Sequence, residues 1–217
     1  MDWCDEYNFG VTHFGFDPQL FPIESIGIDI FHCSGAITRK IMAAVCNFMM
    51  MQDPKLKFKF SELLKTFWKK YRVLIWNMYR PFQSFIGREL LAFILNSQKI
   101  VTFLETEFQQ TESITALCKC LMLWKDISKF LVISAIPNIV EYEQQIKQFK
   151  TNIHNFFGNA RLTFIMTKNE LTPGDNETFY LHALRCYFPQ LAIKLYKKHH
   201  MGLGIFTMQG FERRNKE

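Results

Sequence analysis

A chain of 217 residues with 48% hydrophobic and 21% charged residues can close one substantial core, which sets it apart from disordered polypeptides. Its net charge of +6 makes nucleic acid a reasonable partner, with a solvated basic surface as the plain alternative. No run of 18 uninterrupted apolar residues occurs, and the acidic start MDWCDEYNFG lacks the basic-then-apolar order of a secretory signal, so neither a membrane partner nor export is expected.

Phe contributes 23 residues against 10 Gly and 7 Pro, a balance that favours long helices with Phe-filled interfaces over a turn-rich sandwich. Six cysteines without an export signal read as reduced thiols of a nuclear or cytoplasmic protein.

Along the chain, residues 1–22 show neither a 3.6 nor a 2.0 period and read as an irregular lead-in. From Pro22 to Cys33, Ile26, Ile28 and Ile30 alternate with Gly27 and Asp29, which suggests a short extended segment, with a helix entry left open as the alternative. A helical stripe follows from Ser34, the expected cap, through Ile37, Ile41, Ala44, Val45, Phe48 and Met51, until Asp53-Pro54 ends it. Ser61 would cap a second helix carrying Leu64, Phe67, Trp68, Tyr71, Leu74, Ile75 and Met78. A third runs from about Gln83 to Asn96, and residues 98–110 are ambiguous between short helix and connector.

Beyond them, a long helix starting at Thr111 or Ser113 presents Ile114, Leu117, Leu121, Trp124, Ile127 and Leu131. Pro137 is expected as the first residue of the next helix, which turns Val140, Ile146, Phe149, Ile153 and Phe156 inward and ends at Gly158 in a left-handed cap. After the TPGDNET turn at Thr172–Thr178, two short helices, Phe179–Tyr187 and Gln190–His199, are expected to hinge at Pro189. The predicted organisation is an irregular lead-in over 1–33, a helical region over 34–158 and a carboxyl-terminal helical segment over 159–217. The fold class is mainly α.

Chemistry-bearing groups are few. His182 and Cys186, four apart, share a helix face and could form half of a zinc site, although a buried thiol beside a core imidazole is the commoner outcome. Cys118 and Cys120 lie two apart, a poor chelating pair on a helix. His199-His200 suits a helix end, where a cation favours the carbonyl dipole. His32 and Cys33 lack a neighbour that would orient a nucleophile. No phosphate-binding glycine motif, nucleophile elbow or HExxH occurs, which removes the commonest nucleotide-binding and hydrolase readings. Asp29, inside an apolar run, is best explained as a helix cap.

Glu212 is different, because Gln209, Arg213, Arg214, Asn215 and Lys216 around it are residue types that contact phosphates. On chemistry alone, an exposed Glu making local ion pairs is the simpler reading. A helix starting near Gln209 also has only about two turns before Glu217, fewer than the roughly 12–15 residues at which isolated helices become marginal.

Two motifs add to this. Tyr180-Leu181-His182, Pro189, Gly202–Gly204 and Gln209-Gly210-Phe211-Glu212, with Asn215-Lys216 behind, resemble the carboxyl-terminal catalytic segment of DDE-class DNA transposases. In particular they resemble the Transib-like transposases and the V(D)J recombinase catalytic subunit. Upstream, PIESIGIDIFHC resembles the same family's entry into its helical insertion, matching at Asp29, His32 and Cys33.

The resemblance implies that about Pro22–Glu217 corresponds to the helical insertion and the start of the last catalytic helix of an RNase H-like enzyme, with the β-sheet core missing. It implies Glu212 as the third carboxylate of the triad, holding Mg²⁺ or Mn²⁺ for phosphodiester cleavage and strand transfer in the intact protein. DNA is then the expected partner, with a homodimer as a further expected assembly. Gln209, Arg213, Arg214, Asn215 and Lys216 become DNA-contacting candidates. Two departures bear on zinc: Tyr187 stands where the V(D)J-type recombinase has a second zinc histidine, and its upstream Cys-x-x-Cys is absent. With the two catalytic Asp residues missing too, the chain is expected to be inactive alone. The alternative is a helical DNA- or protein-binding module derived from such an enzyme.

Overall fold

A computed structural model describes residues 30–52, 55–67, 87–136, 138–166 and 178–206. Within them the protein is mainly α, as composition and periodicity predict. The helices are α1 (Ile30–Gln52), α2 (Leu56–Phe67), α3 (Gly87–Leu95), α4 (Ser97–Glu107), α5 (Glu112–Leu131) and α6 (Ile139–Ala160), followed by α7 (Phe179–His182) and α8 (Phe188–His199). Single 3₁₀ turns occupy Phe164–Met166 and Leu203–Phe206. Among the described residues, none of the helices is long and apolar enough to cross a membrane.

α1 and α5 run through the core. On α1, Ile30, Cys33, Ile37, Ile41, Ala44 and Val45 are buried at helical spacing, and the helix meets α2, α3, α5, α7 and the Phe164–Met166 turn. The α1–α5 contact carries a buried polar bridge. Trp124 Nε1–H donates to Thr38 Oγ1 at 2.9 Å, and the Thr38 hydroxyl donates to the Ser34 carbonyl at 2.8 Å. Burying an indole N–H without an acceptor is costly, so this pair fixes how the two helices are rotated against each other.

α5 and α6 form an antiparallel hairpin whose interior is aromatic. Phe130 stacks on Phe149 with ring centres 4.1 Å apart and on Tyr142 at 5.5 Å, while Trp124 lies 6.0 Å from Phe156. Both helices are capped by side chains: Thr111 accepts from the Ile114 N–H, and Asn138 accepts from the Glu141 N–H.

Several local expectations are corrected. Ile30–Cys33, expected in an irregular or extended lead-in, is already helical, and Ser34 lies inside α1 instead of capping it. Ser61 likewise sits within α2, which starts at Leu56. The ambiguous 98–110 stretch is mostly helix, because Ile100, Val101 and Leu104 are buried on one face. α6 starts at Ile139 with Asn138 as its cap, and Pro137, the expected first residue, lies outside the described residues. Gly158 lies inside α6, which continues to Ala160 and ends on Arg161 in ordinary right-handed geometry. Met51 and Val140, placed on core stripes, are 63% and 65% exposed.

The largest difference concerns Pro189. No hinge forms there, since α7 and α8 are joined through a π-helical turn, Ala183–Tyr187, into one continuous helix. Proline lacks an N–H and its ring crowds the carbonyl four residues back. A widened turn accommodates both demands, and the Phe188 N–H reaches the Ala183 carbonyl, five residues back. The turn is also buried on nearly all sides: Leu181, His182, Ala183, Leu184, Cys186, Tyr187, Phe188 and Pro189 are all in the interior. A helix buried all round is held by its surroundings, which is why a mid-chain proline does not break it.

Candidate nucleic-acid interface

The helix Phe179–His199 lies antiparallel against α6. Tyr196 sits 5.4 Å from Tyr142 at one end of the seam, and the Arg185 guanidinium lies over the Phe157 ring at 5.3 Å towards the other. Buried apolar residues hold the two helices together, and what they leave outside is cationic. On α6, Lys147, His154 and, just past the helix end, Arg161 are exposed; on α8, Lys194, Lys197, Lys198 and His199 are exposed, followed by His200.

No acid interrupts this surface over most of its length. The sequence contains neither Asp nor Glu from residue 144 to 169, nor from 178 to 211. On α6 the nearest carboxylate is Glu143, at the Tyr142–Tyr196 end, where burial and that charge together raise the Tyr196 phenol above its ordinary value. Two acid-free runs, brought together antiparallel, produce a one-signed strip of the kind that attracts phosphate backbones. This signal was readable in the sequence as the spacing of acids, though not as motif or periodicity.

The exit from this helix pair is fixed. His200 takes a left-handed backbone, φ 55°, and its N–H bonds the Tyr196 carbonyl at 3.0 Å. The chain then docks on the α5–α6 connection: Met201 bridges Ala135, the Gly202 N–H donates to the Ser134 carbonyl at 3.1 Å, and the Gly204 N–H donates to the Ile133 carbonyl at 2.7 Å. A Cβ at Gly202 would overlap the Ile133 carbonyl, and one at Gly204 the Val132 carbonyl. Glycine is therefore required at both positions by close approach of two backbones.

Beyond this turn come Gln209, Glu212, Arg213, Arg214, Asn215 and Lys216. They lie outside the described residues, as does Asp29.

The structure does bring His182 and Cys186 together, both buried, with Nδ1 and Sγ 3.9 Å apart. The His182 ring also meets Tyr187 edge-on at 5.3 Å. Among the described residues, no set of three His, Cys, Asp or Glu side chains converges to hold a metal ion. Two donors fall short of the four that a structural zinc site needs, and within the described residues the pair is a core contact that seats α7 and the π turn. Cys33 contributes nearby, its Sγ facing the Tyr180 carbonyl at 3.5 Å, so the helix entry is fastened to α1. Cys118 and Cys120 are both buried. Burial and the Glu105 carboxylate push the Cys118 thiol up to about 11, and burial drives Cys120 upward as well. Neither is poised as a thiolate nucleophile.

No protein-family model, curated protein or solved structure matches this chain.

Proposed function

We propose that this chain is the helical, carboxyl-terminal part of a DDE-class DNA transposase or recombinase, which lays DNA along the α6–α8 pair and presents Glu212 to the reacting phosphodiester. The observation that carries the reading is the cationic helix pair leading, through a turn locked by Gly202 and Gly204, straight into the stretch that holds Glu212 and its basic neighbours. The resemblance of that stretch to the family's last catalytic helix supplies the chemistry. In such an enzyme Mg²⁺ or Mn²⁺ activates the attacking oxygen and stabilises the departing one. Glu212 would contribute one metal-binding carboxylate, and two Asp residues from an RNase H-like sheet would contribute the others. This chain's own share is to bind and orient DNA, with Lys147, Lys194, Lys197 and Lys198 neutralising phosphates.

A second reading, a non-catalytic DNA-binding module, is favoured by one fact. The cationic helix pair lies wholly within this chain, whereas the active site needs two further acids.

Two measurements separate the readings. The full chain is titrated with a labelled random-sequence duplex of about twenty base pairs at rising salt, where each neutralised phosphate steepens the log–log dependence by about 0.9. Lys197→Glu with Lys198→Glu is expected to weaken binding about tenfold or more and to flatten that slope by about 2. Salt-independent or unchanged affinity would overturn both readings. Mg²⁺-dependent nicking is then assayed in a longer polypeptide that joins this chain to an upstream sheet carrying two Asp residues. Loss of nicking with Glu212→Gln supports the catalytic reading, and unchanged nicking leaves only the binding module.

A further inference from the structure

The cationic strip on α6 and α8 carries two chemically different sources of positive charge. Lysine and arginine side chains hold their charge throughout the physiological range, whereas imidazole is the side chain whose charge ordinarily changes between about pH 5 and 8. Beside Lys147, Arg161, Lys194, Lys197 and Lys198 the strip exposes His154, His199 and His200. Of the six histidines in the sequence, these three therefore share one surface with the lysines, while His182 is buried in the core.

The fold holds these imidazoles apart and in place. His199 ends α8 and His200 caps it; the His200 ring meets Tyr196 edge-on at 6.0 Å, and the residues after it are docked on the α5–α6 connection. Because Tyr196 packs on Tyr142, this pair stands level with the start of α6. His154, twelve positions beyond Tyr142, lies roughly 18 Å further along the strip at 1.5 Å per residue. Phosphates on one strand of a duplex recur about every 3.4 Å of its axis, so the two ends of the strip meet different phosphates.

The charged groups around them leave phosphate as the natural partner. Near His154 stand Lys147, Lys150 and Arg161 on α6, and Arg185 and Lys194 on the facing helix. On the α5 side, past Asn155, come Glu105, Lys119 and Asp126, and Asp126 already pairs with Lys129 at 3.0 Å. At the other end, the connection from Val132 to Ile136 and the turn Leu203–Phe206 contain no charged side chain. Glu143, across Tyr196, is the carboxylate there that competes with phosphate for a protonated His200. We infer that the strip is a proton-regulated DNA interface, in which His154, His199 and His200 join the lysines as pH falls and tighten the grip on the phosphate backbone. The inference rests on reading the strip as a DNA surface. Its sign follows from linkage: a bound phosphate favours charged imidazole, so the complex holds more protons than the free protein and affinity rises as pH falls.

The test titrates the full chain with a labelled random-sequence duplex at about pH 8 and about pH 6, with circular dichroism at both to keep folding apart from affinity. Affinity is expected to rise about tenfold or more at the lower pH, and the log–log salt dependence to steepen by up to about 2.7, or about 0.9 for each imidazole recruited. Calorimetry near pH 7, in buffers of different ionisation heat, should register net proton uptake on binding. In a triple variant, His154→Gln, His199→Gln and His200→Asn, the ratio of the two affinities should fall close to one and the uptake should vanish. Asn is chosen at position 200 because it enters the left-handed backbone region readily. Firm binding with the same affinity at both pH values, or no proton uptake near pH 7, overturns the inference and leaves the DNA surface standing. A full pH dependence in the triple variant overturns it too, by assigning the protons to other groups. Absence of DNA binding at either pH overturns both the DNA surface and its regulation.

Discussion

At the scale of single residues, the most consequential group is one that no motif announces. Thr38 is a minor polar position on an apolar stripe of α1, yet its hydroxyl is the acceptor for Trp124. Thr38→Val should therefore cost about 1–3 kcal/mol in chemical denaturation, because an indole N–H is left buried without a partner. Adding Trp124→Phe removes the orphaned donor, so the double variant should lose less than the two single losses combined. Strict additivity would show that the bond does not matter. The sequence placed Trp124 in the core correctly, but it could not reveal the bridge, since Thr38 and Trp124 are 86 positions apart. His182 and Cys186 were legible as a pair for the opposite reason, being one helical turn apart. Glu212, the residue with the most chemistry in the sequence, lies outside the described residues.

At the scale of elements, the positions of α1, α5 and α6 were legible because their apolar residues recur every three or four positions, and the Thr111 cap follows from residue type alone. The misplaced starts share a cause. Ser34 and Ser61 are good caps by composition, but buried Ile30 and Cys33, and buried Leu56 and Phe60, extend each helix upstream, and tertiary burial outweighs a cap of about 1 kcal/mol. The docked turn at Met201–Phe206 is an element of another kind, held by backbone approach rather than side-chain packing. Gly202→Ala should destabilise the protein by about 3 kcal/mol in a thermal or urea melt, since the Ile133 carbonyl blocks the new methyl group. A melt indistinguishable from the parent would mean that the turn is not seated on the α5–α6 connection.

For the whole molecule, charge and thiols set the response to conditions. Folding raises Cys118 to about 11 and Tyr142 to about 12, and it raises Cys46 and Cys120 in the same direction. Their neutral forms are thus favoured in the folded state, whereas unfolded thiols ionise near about 8.5. The sign follows: this contribution to stability is complete below about pH 8.5 and declines as pH rises towards about 11. The urea midpoint should fall measurably between about pH 7.5 and 10.5, and Cys118→Ser should lessen the fall. A flat midpoint would contradict the burial of these thiols. Net positive charge was plain from composition, but its gathering onto one helix pair was not, because that depends on α6 and α8 lying antiparallel.

The π turn at Ala183–Tyr187 has one more consequence. It holds one residue more than an α-helical path between Phe179 and His199 would require, so at that point the length of the chain and the orientation of its faces are uncoupled. Elsewhere in the helix, losing or gaining a residue swings everything beyond it by about 100°. Here, removal of the half-buried Arg185 would convert the wide turn to an ordinary one while both flanking faces stay where the core needs them. The helix thus contains a built-in joint for changes in length, placed beside the His182–Cys186 pair.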